Sequence, residues 1–312
     1  YKNDWESAQS AFYGSGTTTD RIANDSKPYS QTDYEASPLN RPDKNYAPGA
    51  DWHTANTSVR HGYHVNVHGT GSGQEKVIAW DINTSGSLIR HAAVTGYVYS
   101  GGYYYSGQLQ IKSTKDENGN EVREYTDKLG RIVLKKVQDA ASPVLSTDLD
   151  WAQTYYVYDD FGNLRFVLQP ELVKTLAQGT SAPNADQLNY FVFQYRYDGR
   201  QRMISKKVPG SGWVEMLYDP WDRLVLSQDA VQLGKANKEY TYTKYDALNR
   251  PILTGIWTTS TAIATLRTQA MAHNTRHENR TTGNIGYTLN QSYPTGATDA
   301  NKVLSATYYD DY

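Results

Sequence analysis

One short signature recurs and limits what this chain can fold into. An Asp ends a strand; three residues later comes Gly, Gln, Asp or Asn, and four residues later Arg or Asn. It stands in "YTDKLGRIVL", "VYDDFGNLRFV", "RYDGRQRMIS", "LYDPWDRLVL" and "KYDALNRPIL". The anchors are Asp127, Asp159, Asp198, Asp219 and Asp246. Tyr precedes four of them, as Tyr158, Tyr197, Tyr218 and Tyr245; in the first copy Thr126 takes that place, with Tyr125 one earlier. The third position after each Asp holds Gly130, Gly162, Gln201, Asp222 and Asn249, and the fourth holds Arg131, Asn163, Arg202, Arg223 and Arg250. A further copy is expected to start at Tyr309-Asp310.

The signature has a physical reading. Asp at the first position of a turn bonds the backbone ahead of it, and Gly suits the fourth position of a type I turn. Gly, Asn and Asp tolerate the left-handed backbone that closes such a hairpin with a bulge; Gln201 fits least well. The flanks alternate as strands do. Tyr156 and Tyr158 are expected on one face, Leu164, Phe166 and Leu168 on one face of the return strand, and Phe191, Phe193, Tyr195 and Tyr197 on one face of the next hairpin. A hairpin cannot bury its face alone, so repeated hairpins must join into something longer.

Composition supports sheets. The chain has 27 Tyr but 5 Phe and 3 Met, and its mean hydropathy is -0.71. Such polarity would suit disorder, but disorder also predicts few aromatic and β-branched residues. Tyr, Trp, Val and Thr suit pleated, half-buried surfaces, and Tyr packs a ring while its hydroxyl stays hydrated or bonded. The charge is balanced, 31 Lys+Arg against 33 Asp+Glu, which points away from a nucleic-acid partner. No run of about 18 apolar residues could cross a membrane. With no Cys there is neither a disulfide framework nor a thiolate metal site. The start, Tyr-Lys-Asn-Asp-Trp, lacks Met and the basic and apolar regions of a signal peptide, so a processed or internal segment is expected.

Three regions are expected along the chain. Residues 1–60 read as an extended, irregular lead segment. Residues 61–124 read as strands leading into the repeats. There "GYHVNVH" sets Tyr63, Val65 and Val67 against His64, Asn66 and His68, "KVIAWDI" reads as a further strand, and Asn118-Gly119 marks a hairpin. Residues 125–312 hold the repeats, with insertions near 170–189 and 260–290. "PELVKTLAQG", from Pro170 to Gly179, and "STAIATLRTQAMAHN", from Ser260, are expected to be helical insertions between hairpins, not a second layer.

The hairpin unit resembles the YD repeat of Rhs and teneurin-like proteins, above all the large secreted Rhs proteins of bacteria. "TKDENGNEVREYTDKLGRIVLKK", "YYVYDDFGNLRFVLQPEL" and "YTKYDALNRPILTGIW" carry the resemblance over residues 108–312; toward the N-terminus it weakens to "APGADWH". The resemblance implies an all-β fold, hairpins stacked into a spiralling sheet or hollow shell with short helical insertions. It implies an encapsulating role, as in Rhs polymorphic toxins and the C component of insecticidal toxin complexes. The implied partners are the rest of its own chain and an enclosed C-terminal effector, with secretion machinery or glycans as further candidates. The implied location is secreted or at the cell surface. No counterpart of the family's protease region or toxin is seen in this sequence.

Catalytic chemistry finds little footing, so no enzyme activity, cofactor or metal is expected. His61, His64 and His68, with His53 upstream, form the densest candidate ligand set, but no carboxylate completes it at convincing spacing. His273 and His277 stand four apart on a possible helix, with Asn274 where a zinc protease needs Glu. "DENGNE" from Asp116 has Gly119 fourth and not sixth, unlike a calcium loop. "GTGSG" from Gly69 lacks the Lys and the following helix of a phosphate loop. The repeat Asp residues could suggest paired-carboxylate glycosidase chemistry, but the turn already accounts for them. The 7 Trp and many Tyr could stack on sugars, which makes a cell-surface glycan-binding adhesin the alternative to a shell.

Overall fold

The computed structural model describes residues 4–14, 25–54, 57–91, 98–99, 101–176, 182–283 and 285–309. Gly179 and Asp310, named above, lie outside them. The chain is mostly antiparallel β-sheet with a few short helices. Its contacts divide it into two units: residues 1–157 with 168–183, and residues 158–167 with 184–312.

Unit 1 begins with helix α1 (Trp5–Gly14). Strands β1 (Gln31–Tyr34), β2 (Pro42–Tyr46) and β3 (Val59–Val65) follow. Then come two small ribbons, β4 (Trp80–Ile82) with β5 (Leu88–Arg90) and β6 (Val98–Tyr99) with β7 (Tyr103–Tyr104). The sheet resumes with β8 (Gln110–Lys115), β9 (Glu121–Thr126), β10 (Ile132–Gln138) and β11 (Trp151–Tyr158), and α2 (Pro170–Leu176) closes the unit. The strand order is β1-β2-β3-β8-β9-β10-β11. The core lies where the excursion between β3 and β8 folds onto one sheet face. Val77, Ile78, Ala79 and Leu88 from the excursion are buried, as are Ile111, Tyr125, Leu134, Trp151, Tyr155 and Val157 of the sheet. Strand β11 shows the cause, because burial alternates strictly along it with the period of a strand.

Alternation bears out one expectation, that Tyr156 and Tyr158 share a face, and two others are corrected. On β11 the packed face is Trp151, Gln153, Tyr155 and Val157, while Tyr156 and Tyr158 share the half-buried face. Near β3, Val65 and Val67 are exposed and Asn66 is buried. Its carboxamide accepts from Leu109 N and donates to Tyr105 O, so the amide is satisfied where a valine would not be needed. Lead residues 1–60 are not wholly irregular either, since they hold α1, β1, β2 and the start of β3. Their strands "QTDY" and "PDKNY" have no apolar period, so no alternation announces them; pairing with β3 makes them strands.

Unit 2 runs β12 (Leu164–Leu168), α3 (Ala185–Phe191), β13 (Val192–Tyr197), β14 (Met203–Lys207), β15 (Trp213–Tyr218) and β16 (Leu224–Gln228). It continues with α4 (Ala230–Gly234), β17 (Glu239–Tyr245), β18 (Pro251–Thr258), α5 (Ile263–Ala272) and β19 (Val303–Ala306). From β13 to β19 each strand neighbours the next in sequence. Phe191, expected on a strand, ends α3. Helices α3 and α4 were not expected, although each opens with a capping box, Asn184 with Gln187 and Asp229 with Gln232.

Helix α5 and the segment after it are more than an insertion. Leu266 and Ala270 are fully buried in one cluster with Leu217, Val225, Leu226, Tyr240, Tyr242, Ile252 and Leu253 of the sheet and with Tyr287, Tyr293 and Ala297. The sheet's apolar face needs a cover, and this excursion supplies it, so it is a second layer over that face.

Candidate functional site

The recurring turn is the feature most repeated in the structure. In every copy the Asp carboxylate accepts backbone N–H from the second and fourth residues after it. For Asp127 these are Leu129 and Arg131 at 2.9 Å each; for Asp159, Phe161 at 3.1 Å and Asn163 at 2.9 Å. Asp198, Asp219 and Asp246 make the same pair of bonds to Arg200 and Arg202, Trp221 and Arg223, and Leu248 and Arg250. The backbone closes twice around each Asp, as in Gly130 N to Asp127 O and Asp127 N to Arg131 O. The third residue after each Asp is left-handed: φ is 79° at Gly130, 81° at Gly162, 61° at Gln201, 63° at Asp222 and 64° at Asn249. All five Asp therefore stand at turns.

The structure also explains the fourth position. Its side chain donates to the carboxylate oxygen that the backbone leaves free. Arg131, Arg202, Arg223 and Arg250 do so through Nε at 2.6–2.8 Å, and Asn163 through Nδ2 at 3.2 Å. Asp198 and Asp246 are held below the usual carboxylate range. Burial opposes this, but the bonds from Arg202 and Arg250 and from the turn backbone outweigh it.

Sequence reasoning missed two further copies. Asp116 accepts from Asn118 N, Asn120 N and Asn120 Nδ2, with Gly119 at φ 88°. The spacing Asp-x-x-Gly-Asn, the same as Asp159 to Asn163, could have revealed it. Asn83 builds the turn between β4 and β5 in the same way, bonding Ser85 N and Ser87 N with Gly86 at φ 78°. There the amide oxygen replaces the carboxylate, so an Asp-based search passes over it.

Each unit also buries one Lys–Glu pair that joins its excursion to its sheet. In unit 1 Lys136 Nζ on β10 and the Tyr125 hydroxyl on β9 both donate to Glu75 Oε2 at 2.7 Å, all three residues being buried. In unit 2 Lys244 Nζ on β17 donates to Glu278 Oε1 at 2.6 Å and to three carbonyls, of Leu289, Ser292 and Pro294. Glu278 also accepts from Thr288 Oγ1, Gln291 N, Ser292 N and Ser292 Oγ. Burial alone would raise its pKa, but Lys244 and these donors together hold it below the ordinary range. Neither lysine carries a sequence signal, because each follows or precedes polar residues on an ordinary-looking strand.

The other candidates stay apart. His61 bonds Asn45 and Thr114, and its pKa is lowered by burial and then by Lys112. His53 stacks on Tyr46 and meets Tyr29 O. His64 lines a shallow groove of about 910 Å³ with Tyr63, Val65 and Lys112, while His68 sits beside Tyr103. Helix α5 ends at Ala272, so His273 and His277 are beyond it; His273 contacts Gln291 O, and His277 lines a hollow near Asp246. Among the described residues no three of His, Cys, Asp and Glu form a metal-holding group. The Gly69 loop is closed by Gly69 N to Glu75 O and by the Gln74 side chain on Gly71 N. The strand expected after it forms only over β4, Trp80–Ile82.

Residues 1–65 match the family model described as Domain of unknown function (DUF6443). No curated protein matches the chain. Among solved structures, the chain is similar to one titled TcdB2-TccC3-Cdc42, at 16% identity and TM-score 0.37, over 74% of this chain and 10% of that one. A TcdB2-TccC3 structure is similar at 14% identity and TM-score 0.36, over 90% of this chain and 14% of that one. The Photorhabdus luminescens Tc holotoxin pore is similar at 16% identity and TM-score 0.37, over 74% and 10%. The chain thus spans a tenth to a seventh of the chains it resembles.

Proposed function

We propose that this chain is a stretch of β-sheet wall in a secreted, Rhs-type encapsulating protein built of YD repeats. It carries no catalysis of its own and contacts the rest of its chain or an enclosed C-terminal effector. The observation that carries this reading is the recurrence of one Asp-capped turn in hairpins that lie side by side, in sequence order, in a sheet. A sheet made this way can lengthen by adding hairpins, which suits a wall. Within each unit one face of the sheet is covered by that unit's own excursion, and strands such as β9 and β13 keep half-exposed polar residues.

The test uses the intact parent protein under limited proteolysis, with and without Lys244→Met. Sequences outside this wall should resist protease in the wild type and become sensitive when the wall is weakened. Equal sensitivity in both overturns enclosure. Saturable binding of the intact protein to one sugar class on a glycan array favours the adhesin instead.

A further inference from the structure

A tight turn fixes the register inside a hairpin, but nothing of that kind fixes it between one hairpin and the next. At four such seams the strands are joined by segments without the Asp-capped turn: residues 47–58 between β2 and β3, 208–212 between β14 and β15, 229–238 between β16 and β17, and 259–302 between β18 and β19. Burial is a poor guide here. A two-residue slip of β17 keeps every side chain on its face and exchanges buried Tyr240 for buried Tyr242, so that only buried Lys244, drawn off Glu278, would resist it from that face.

The same contact spans all four seams. The Arg41 guanidinium lies 4.0 Å from the Tyr63 ring centre, Arg202 4.8 Å from Tyr218, Arg223 4.6 Å from Tyr245 and Arg250 4.3 Å from Tyr309. Each of these Tyr hydroxyls donates to the carbonyl of the residue after its Arg: Pro42 at 3.1 Å, Met203 at 2.8 Å, Leu224 at 2.9 Å and Pro251 at 3.3 Å. The alignment is the same throughout. Pairs directly opposite across the seams are Lys44↔Arg60, Ser205↔Glu215, Leu226↔Tyr242 and Leu253↔Ala306. Three residues outward on each strand from these pairs stand the Arg and the Tyr.

Each Arg is also held within its own hairpin. Its own turn carboxylate holds it, Glu35 for Arg41 and Asp198, Asp219 and Asp246 for the others. Two of the guanidiniums reach on to the next turn, Arg202 Nη1 to Asp222 Oδ1 at 2.7 Å and Arg223 Nη1 to Asn249 Oδ1 at 3.0 Å. Those acceptors occupy left-handed positions where Gly would cost less.

We propose that these Arg–Tyr clasps select the strand register at the seams, so that successive hairpins dock in one alignment. A two-residue slip moves the ring by roughly 6.6 Å, outside the cation–π range of about 6 Å, and strips the hydroxyl of its carbonyl. The Tyr of the signature thus serves the seam and the Asp serves both turn and seam. This inference holds whatever the wall encloses.

The chain has no Cys, so disulfide trapping in the full chain tests it directly. Ser227→Cys with Thr241→Cys reports the observed register, and Ser227→Cys with Thr243→Cys a two-residue slip. After reduced refolding and oxidation, the first pair should cross-link at least tenfold more than the second. Arg223→Ala should reduce that ratio at least fivefold, while Leu266→Ala, a core change that leaves both clasp residues in place, should leave it unchanged. If Arg223→Ala does not refold, Arg223→Lys replaces it, keeping the charge but not the planar face. An unchanged ratio in the Arg223 variant, or an equal fall in Leu266→Ala, overturns the proposal.

Discussion

Replacing Lys244 by Met removes a charge from the interior of unit 2 with little change in volume, so the cost is electrostatic and not a cavity. Lys244 and Glu278 are both fully buried at 2.6 Å. Removing one partner of such a pair leaves the other charge uncompensated, which costs about 3–5 kcal/mol. Glu278 keeps its bonds from Thr288, Gln291 and Ser292, which places the loss toward the lower end of that range. The carbonyls of Leu289, Ser292 and Pro294 lose a donor, which pushes it up again. The pH dependence separates this account from a packing defect. In the wild type Glu278 is depressed below its unfolded value of about 4.3. Its contribution is therefore complete above that value and is lost as pH falls through the folded pKa. Without Lys244, burial raises the carboxyl, protonation relieves the buried charge, and the variant should lose less stability on acidification than the wild type. Urea unfolding followed by Trp213 and Trp257 fluorescence between pH 3 and 7 reads both effects. A loss under about 1 kcal/mol, or an acid slope equal to the wild type's, would refute the reasoning.

Other expectations follow from single positions. Gln201 stands at φ 61°, so Gln201→Gly should stabilise by about 1 kcal/mol, whereas Gly162→Val, at φ 81°, should cost about 1–2 kcal/mol and at least as much as Tyr158→Phe; thermal melts of the three variants decide this. Asp219→Ala removes the acceptor of Trp221 N, Arg223 N and Arg223 Nε at a buried site and should cost at least about 2 kcal/mol in denaturant, with Asp219→Asn recovering part. A Cβ on Gly255 would stand 2.4 Å from the Tyr242 hydroxyl and 2.6 Å from Lys302 O, so Gly255→Ala should cost about 1–3 kcal/mol. That hydroxyl is buried without a hydrogen-bond partner among the described residues, so Tyr242→Phe should be neutral or stabilising and should ease Gly255→Ala in a double-mutant cycle.

Legibility in the sequence tracked how local each interaction is. The five Asp turns were readable because the capping bonds join residues at most four apart. The two helices expected at Pro170 and Ser260 were readable from their local signals, and both are present in part as α2 and α5. The capping boxes of α3 and α4 were equally local but lay between stronger strand signals. Strands β1 and β2 left no trace because polar residues occupy both faces.

The sequence by itself determined the unit of construction: a hairpin with a carboxylate-capped turn, in a Tyr-rich chain suited to sheets and not to a compact apolar globule. It also named the Arg at the fourth position without giving its reason. Only the tertiary structure decided what lies between hairpins. Arg223 meets Tyr245 and Lys244 meets Glu278 across 22 and 34 residues of chain, respectively. Such pairs arise from where two separate strands or segments come to rest, and residue spacing along the chain carries no record of that. The same holds for the covered face: that Leu266 packs with Leu217, and Ile78 on Tyr155, follows from the sheet of each unit needing a lid, and which segment supplies the lid is settled only once the chain has folded back.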